Sequence, residues 1–277
     1  MPCDHDRMSA PRVLDLTGSC NLRDFGGYPT RTGLRVRRGR LFRSGVMNRL
    51  APQAVRTLQA LPLRAVCDLR RTEERRLQPN PDFGPGVRTF EWASTTETSP
   101  IRERRFAESA SIDEARAAMA AMYRRIPYLL QRRLAGVFEA LAQMDEGAMV
   151  VHCSAGKDRT GVAVALVLEA LDVPREVVVE DYVLTNTAVD LRRQLLEVHA
   201  TGAGLAATAE PLRALPPLAL EAVLDAHPTY LVAALEAIES RHGSVERYLH
   251  DELGVDGAVL NRARAILIED PRPRAFR

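Results

Sequence analysis

Blocks of apolar residues alternate with amphipathic stretches along the chain, and this pattern predicts strands that are followed by helices. Short apolar runs typical of buried strands cover Leu63–Arg70 (LRAVCDLR) and Ala148–His152 (AMVVH), and Gly86–Trp92 predicts a further strand. Pro127–Met144 places apolar residues at helical spacing, and Thr160–Leu171 is apolar over the length of a helix. Strands that alternate with helices favour an α/β fold, with a central, mostly parallel sheet flanked by helices.

Other segments complete this outline. Leu34–Ser44 alternates apolar and basic residues after the turn sequence TRTG, which predicts a hairpin. Pro52–Ala60 predicts a short helix with proline in its first turn, and a final helix is expected to begin after Asp256, a good N-cap residue. The charged, alanine-rich stretch 93–126 has weak helical periodicity, and we interpret it as a lid or insertion. We expect one domain, spanning 1–277.

Composition and charge exclude several classes of function. The apolar share of 46% and the charged share of 27% are ordinary for a globular protein, and the net charge is only +2. No basic block with interleaved aromatic residues is present, so no nucleic-acid partner is expected. The longest apolar run, Val162–Leu168, is too short to cross a bilayer, and the N-terminal residues lack the apolar core of a signal peptide. A cytoplasmic protein is therefore expected, with export by a signal-less route left open.

The cysteines add a further constraint. Cys3, Cys20, Cys67 and Cys153 lie far apart, with no CxxC pair and no histidine at metal-ligand spacing. This pattern argues against a disulfide framework and a zinc site, and no metal or cofactor is expected. We expect Cys20 and Cys67 to be core thiols.

The most informative segment is Val150–Gly161, which reads VVHCSAGKDRTG. A buried strand leads into Cys153, five residues follow, and Arg159 comes at the start of a helix. Backbone N–H groups in such a turn converge, and the helix dipole adds partial positive charge, so the loop is expected to bind a phosphate. Arg159 can donate two parallel hydrogen bonds to the phosphate oxygens. The predicted phosphate-binding residues are Ser154, Ala155, Gly156, Lys157, Asp158 and Arg159.

The same field stabilises a thiolate at Cys153. His152 and the Thr160 hydroxyl are candidate hydrogen-bond partners that support it. A thiolate beneath a bound phosphate can attack phosphorus in line, and water then hydrolyses the cysteinyl-phosphate and releases inorganic phosphate. No metal is needed in this scheme, because backbone amides and Arg159 neutralise the developing charge.

Three alternatives compete with an active phosphatase. Cys153 could be an ordinary buried core cysteine, but the spacing to Arg159 and the flanking strand and helix argue against this. The chain could be a phosphate-binding module without turnover, but it retains both Cys153 and Arg159. A sulfur-transferring rhodanese also has a cysteine loop after a strand, but the ending Lys-Asp-Arg-Thr fits phosphate better.

The segment HCSAGKDRTG resembles the active-site loop of the cysteine-dependent phosphatase superfamily, and it is most similar to the mycobacterial protein tyrosine phosphatase B family. Further resemblances occur along the whole chain: Asn21–Asp24, Gly39–Ser44, Cys67–Arg70, Asp181-Tyr182 with Asn186, and Asn261-Arg262. The resemblance implies a protein tyrosine phosphatase-like fold. It also implies activity on phosphotyrosine, often on phosphoserine or phosphothreonine, and on phosphoinositides. The expected partners are therefore a phosphorylated protein or a phosphoinositide as substrate.

The leaving group needs a proton, so a carboxylic acid is expected near the loop. Asp68 ends a predicted strand, where α/β sheets place active residues, and Asp158 lies within the loop itself. Asp158 is favoured because a loop residue reaches the phosphate, and Asp68 stays a candidate. Lys157 could reach a second phosphate or an acidic neighbour on the substrate, or could be a solvated lysine.

Overall fold

The computed structural model describes residues 12–93, 108–197 and 212–272. Within these ranges the strands form a five-stranded sheet, in the order β1-β3-β6-β4-β5, and a two-stranded sheet that pairs β2 with β7. The strands are β1 Arg23–Asp24, β2 Arg35–Val36, β3 Leu41–Ser44, β4 Leu63–Asp68, β5 Arg88–Glu91, β6 Ala148–His152 and β7 Ile268–Glu269.

Helices connect and cover the strands. The helices of the described residues are α1 Pro52–Gln59, α2 Thr72–Leu77, α3 Ile112–Leu129, α4 Gln131–Gln143, α5 Asp158–Ala170, α6 Arg175–Val183, α7 Thr185–Ala188, α8 Pro217–Leu224, α9 Pro228–His242, α10 Val245–Asp251 and α11 Gly257–Leu267. A π-helical turn covers Arg193–Glu197. No single described helix is long and apolar enough to cross a membrane. Among the described residues, one bent pair of helices, α8 and α9 with 68° between them, has the length and composition for a span.

The sheet topology confirms the predicted α/β architecture. Strands β3, β6, β4 and β5 run parallel, and the short β1 pairs antiparallel with β3 at one edge. In the register of the central strands, His152 lies opposite both Ser44 and Asp68. The carboxyl ends of three parallel strands therefore meet at one edge, where α/β sheets form their sites.

Strand β6 is central and buried on both faces. Met149 and Val151 pack into the main core, which is formed with α3, α4, α5 and α9. Ala148 and Val150 face a smaller core on the opposite side of the sheet, which includes Leu58 of α1. Because helices cover both faces, a continuous apolar run such as AMVVH is what this position requires. The predicted bounds of β6 are confirmed, and α1 and α11 also form where the sequence predicts them.

The predicted hairpin over Leu34–Ser44 is wrong. Strand β2 pairs antiparallel with β7 near the end of the chain, whereas β3 pairs in parallel with β6. The alternating pattern identifies the strands correctly. It contains no information about their partners, and the backbone at Arg37 turns to the end of α11, where its amide donates to the Leu267 carbonyl at 2.7 Å.

The predicted single helix over Pro127–Met144 is also wrong, because a break divides it. Helix α3 includes Pro127 in its last turn, and α4 starts only at Gln131. Between them Leu130 leaves helical geometry, with φ −111° and ψ 11°. Proline often marks a first helical turn, but here the preceding segment is already helical when the chain reaches it.

The interpretation of 93–126 as a lid can be compared with the structure in only part of that segment, because 94–107 lie outside the described residues. From Ile112 onward the chain forms α3, whose inner face joins the main core. The buried residues of that face within the segment are Ala115, Met119, Ala120, Met122, Tyr123 and Ile126. This half of the segment is therefore core, and a lid role for the remainder stays a prediction.

Candidate active site

The loop that carries the predicted chemistry lies at the carboxyl edge of the sheet. It leaves β6 after His152, contains the buried Cys153, and enters α5 at Asp158. Gly156 has φ +68°, and a Cβ at this position would lie 2.6 Å from the Ser44 carbonyl carbon. Both the backbone conformation and the close approach to β3 therefore require glycine.

Protein donors bind the loop carbonyls from outside. The Val46 amide donates to the Ser154 carbonyl at 2.9 Å. Asn21 Nδ2 and Arg43 Nη2 each donate to the Gly156 carbonyl at 2.9 Å. Across the described residues, no backbone amide from Ser154 to Asp158 donates to a protein acceptor. The carbonyls are thus occupied and the amides are available, as an anion-binding loop requires.

A buried ion pair between Arg43 and Asp181 supports the loop. Arg43 Nη1 lies 2.6 Å from Asp181 Oδ2, Tyr28 donates to Asp181 Oδ1 at 3.0 Å, and Arg23 Nη2 donates to the Asp181 carbonyl at 2.7 Å. Burial alone would raise the pKa of Asp181, but Arg23 and Arg43 together hold it below its usual value. This network fixes the guanidinium of Arg43, which in turn fixes the Gly156 carbonyl.

Replacing Asp181 with asparagine should destabilise the protein strongly. The substitution leaves two buried arginines without their counter-charge, and we expect the free energy of unfolding to fall by about 3–5 kcal/mol in urea denaturation. The control is Asp172→Asn, since the Asp172–Arg31 pair has side chains 37% and 48% exposed. That loss should be less than about 1 kcal/mol. Similar losses in both variants would show that the buried network contributes little.

Arg159 is held in place by Glu74, a residue of α2. Arg159 Nη1 and Nη2 bind the two Glu74 carboxylate oxygens at 2.7 and 2.8 Å. Ser154 Oγ donates to the same carboxylate at 2.6 Å. Burial would raise the pKa of Glu74, but Arg159 more than offsets this and holds that pKa well below its usual value. The charged pair fixes the plane of the guanidinium beside the loop.

Sequence reasoning did not identify Glu74. It lies in the segment TEERRL, whose charged residues are typical of a solvated helix face. The available signal was its position shortly after the Asp68–Arg70 motif, at the edge of the sheet where β4 ends.

Asp68 ends β4 and is fully buried. It binds Arg70 in a bidentate manner, with Nε 2.9 Å from Oδ1 and Nη2 2.7 Å from Oδ2, and it accepts a bond from Asn80 Nδ2 at 3.0 Å. Burial would raise its pKa, but neighbouring His152 and the bonds from Arg70 lower it to about 2. The carboxylate is therefore ionised and its oxygens are occupied.

His152 is buried next to this carboxylate, with Nε2 3.5 Å from Asp68 Oδ2. Burial lowers its pKa to about 4, in spite of the attraction to Asp68. Its Nδ1 is 3.4 Å from the Cys153 carbonyl. The ring is thus neutral at ordinary pH and packs beneath the loop rather than acting as a cation.

Asp158 lies in the first turn of α5, with its side chain 31% exposed. Its Oδ1 accepts a hydrogen bond from Tyr123 of α3 and lies 3.3 Å from Lys157 Nζ. Lys157 itself is buried, and its ammonium group donates to the Val223 carbonyl and, at 2.9 Å, to the Asp225 carbonyl. These carbonyls belong to the end of α8, so the lysine is directed into the protein and is not solvated.

Thr160, Cys20 and Cys67 are all buried. Thr160 Oγ1 has no hydrogen-bond partner within the described part of the chain, and its contact with Cys153 stays a prediction. Cys20 and Cys67 are buried free thiols, as predicted. Burial, followed by the nearby Cys153, raises the pKa of Cys20 to about 12. Cys20 lies close to the loop, with its sulfur 3.8 Å from the Ala155 carbonyl.

The site combines a cysteine after a central parallel strand, a loop whose amides have no protein acceptor among the described residues, and an arginine at the start of the next helix. This is the arrangement expected of a tyrosine phosphatase. The family model described as tyrosine phosphatase family matches residues 14–269, and the chain belongs to that family. The predicted fold class and family resemblance are thereby confirmed.

Relatives agree with this assignment. The chain is 33% identical over 281 residues to the triple specificity protein phosphatase PtpB of Mycobacterium tuberculosis, covering 92% of this chain and 99% of that protein. It is 32% identical over 248 residues to a Cupriavidus necator protein provisionally named as a tyrosine-protein phosphatase, covering 87% and 84% of the two chains. A shorter match, 41% over 49 residues, covers 18% of this chain and 17% of a tyrosine-protein phosphatase of Nostoc commune. Family and relatives together support a protein phosphatase.

Proposed function

We propose that this protein hydrolyses phosphate monoesters on proteins through a cysteinyl-phosphate intermediate, with phosphotyrosine as substrate and phosphoserine and phosphothreonine as further substrates. One observation carries the proposal. The buried Cys153 and Arg159 share a loop whose amides have no protein acceptor in the part of the chain that the structure describes. Glu74 fixes the Arg159 guanidinium through two hydrogen bonds of 2.7 and 2.8 Å. This arrangement suits a tetrahedral dianion above a sulfur nucleophile.

The reaction has two steps. In the first, the Cys153 thiolate attacks phosphorus, the S–P bond forms, and the bond from phosphorus to the ester oxygen breaks. That oxygen takes a proton from Asp158 and leaves as the alcohol or phenol. In the second, water attacks phosphorus and gives its proton to the Asp158 carboxylate, and the S–P bond breaks to return the thiolate and inorganic phosphate.

We assign the general acid to Asp158 and a positioning role to Asp68. Asp68 is buried, ionised and bound on both oxygens by Arg70 and Asn80, so it has no proton to give. Asp158 is partly exposed within the loop, and its Oδ2 has no hydrogen-bond partner within the described residues. A group that must deliver a proton to a leaving oxygen needs such an accessible atom.

Leaving-group dependence tests this assignment. Asp158→Asn should lower kcat/KM about 10²-fold on an alkyl phosphate, whose alkoxide needs protonation, and less than about 5-fold on a nitrophenyl phosphate. Asp68→Asn should lower both values alike and also lower the melting temperature, because it leaves Arg70 buried without its partner. Equal losses on both substrates for Asp158→Asn would contradict its role as the acid.

A phosphoinositide phosphatase is the alternative that the family resemblance implies, and a Lys157 side chain that reaches a second phosphate would favour it. In the structure the Lys157 ammonium group donates to carbonyls at the end of α8, and its side chain is only 2% exposed. Protein phosphomonoesters are therefore the primary proposal. A relative named for triple specificity supports a broad substrate range.

A substrate panel tests the function as a whole. Phosphotyrosine, phosphoserine and phosphothreonine peptides and phosphoinositide vesicles would be compared by phosphate release, with Cys153→Ser as the blank. We expect release from phosphotyrosine peptides to be fastest, and a phosphoenzyme should be trapped by acid quench and located on Cys153 by mass spectrometry. Turnover without a phosphoenzyme on Cys153, or turnover restricted to phosphoinositides, would overturn the proposal.

A further inference from the structure

Two buried tyrosine hydroxyls lead from the core to the Asp158 carboxyl. Tyr123 donates to Asp158 Oδ1 at 2.5 Å, and the hydroxyls of Tyr123 and Tyr182 are 2.6 Å apart. The three residues come from different helices, α3, α6 and α5. Both tyrosines are almost completely inaccessible to solvent.

Chemistry sets the direction of this chain. Both the carboxylate and the acid that carries its proton on Oδ2 can only accept a hydrogen bond at Oδ1, so Tyr123 must donate to Asp158 and its own oxygen must accept from Tyr182. Burial, followed by the charge of Asp158, holds the pKa of both tyrosines well above the usual value. Both hydroxyls therefore keep their protons and stay donors wherever the protein is folded and active.

The tyrosine rings have little freedom to move. They meet edge to face, with centroids 6.0 Å apart and planes at 76°. A Cβ added at Gly161, within the first turn of α5, would lie 2.9 Å from Tyr182 Cδ2, so the ring is pressed against the helix that carries Asp158. Packing of the two rings thus fixes the position of the Tyr123 hydroxyl that donates to Asp158 Oδ1.

The two oxygens of Asp158 are consequently unequal. Oδ1 has two partners, Tyr123 and the ammonium group of Lys157 at 3.3 Å, whereas Oδ2 has none within the described residues. We propose that Tyr123, held by Tyr182, is a positioning residue that fixes the Asp158 carboxyl with Oδ2 toward the leaving-group oxygen. This inference rests on the proposed function, in which Asp158 is the general acid.

Removing one hydroxyl tests the inference. Tyr123→Phe keeps the ring but frees Oδ1, so proton delivery should suffer while phosphate binding does not. We expect kcat/KM on alkyl phosphates to fall about 10-fold, with a change below about 2-fold on nitrophenyl phosphate. The slope of log(kcat/KM) against the pKa of the leaving group should become steeper, because kcat/KM includes only steps through cysteinyl-phosphate formation. The inhibition constant of inorganic phosphate should stay within about 2-fold.

The matched control is Tyr248→Phe. Tyr248 is equally buried, and its hydroxyl donates to the Pro127 carbonyl at 2.7 Å, away from Asp158. This variant loses a buried hydroxyl, so its stability should fall comparably, but the leaving-group slope should stay that of the parent. If Tyr123→Phe does not fold, Tyr182→Phe carries the test, with a smaller steepening expected because the Tyr123 hydroxyl then still donates.

The outcomes separate this inference from the proposed function. If Asp158→Asn steepens the slope but the foldable tyrosine variant matches Tyr248→Phe, the positioning role is overturned and the general acid stands. If Asp158→Asn leaves the slope unchanged, the acid assignment fails, and the inference fails with it. A slope change in Tyr123→Phe that is absent from Tyr248→Phe supports the inference.

Discussion

Replacing Cys153 with serine is expected to lower kcat by at least about 10⁴-fold on every phosphate ester, because a serine hydroxyl is not ionised by the field that stabilises a thiolate. The loop amides and Arg159 do not depend on the sulfur, so the variant should still bind phosphorylated peptide. Calorimetric titration of both proteins with a non-hydrolysable phosphonate analogue of such a peptide should therefore give dissociation constants within about 3-fold of each other.

Cys67→Ala provides the control for this prediction. Cys67 is fully buried in β4, where its sulfur lies 3.6 Å from the Met149 sulfur. Its loss should lower stability but leave kcat within about 3-fold of the parent, since its sulfur meets Met149 within the main core. A Cys153→Ser variant that keeps more than a tenth of the parent kcat would refute the nucleophile assignment.

The second large effect concerns Arg159. Lysine keeps the positive charge but cannot form two parallel bonds to Glu74 while facing a phosphate, so Arg159→Lys should lower kcat/KM by about 10³-fold. The variant should also lose most of its inhibition by orthovanadate, an anion that binds the same cradle. Steady-state kinetics with nitrophenyl phosphate would measure both effects.

A graded series supports the interpretation of that result. Glu74→Gln leaves the arginine in place but weakens its orientation, so kcat/KM should fall about 10-fold. Arg262→Lys changes a half-exposed arginine paired with Asp145 and should leave kcat/KM unchanged. If Glu74→Gln were as damaging as Arg159→Lys, the glutamate would have to do more than orient its partner.

Local sequence was enough to predict the loop, because every part of it lies within twelve consecutive residues. A buried strand, a glycine at a left-handed position and an apolar helix follow one another from Val150 to Gly161, and each has its own local signal. The same holds for the α/β class, since alternating strands and helices are visible without knowledge of their contacts.

What the sequence could not reveal are the partners of these groups. Glu74 meets Arg159 across 85 residues of chain, and Tyr123 meets Asp158 across 35. Such pairs depend on which strand lies next to which, and a periodic pattern of apolar residues contains no information about strand order. The prediction of a hairpin over Leu34–Ser44 was wrong for the same reason, because its two strands belong to different sheets.

The buried attachment of Lys157 links the stability of two distant parts of the chain. Its ammonium group meets carbonyl groups 66 and 68 residues further along, beyond the intervening helices. Fraying of the end of α8 would leave the buried Lys157 ammonium group without its carbonyl acceptors, which is energetically costly. The ammonium group regains hydrogen bonds, to water, only if the loop of Cys153–Arg159 opens too. Unfolding of the loop that carries Cys153 and of the C-terminal helices is thereby made cooperative. A substitution that destabilises those helices would therefore also destabilise the loop around the Cys153 sulfur, although it makes no contact with that sulfur.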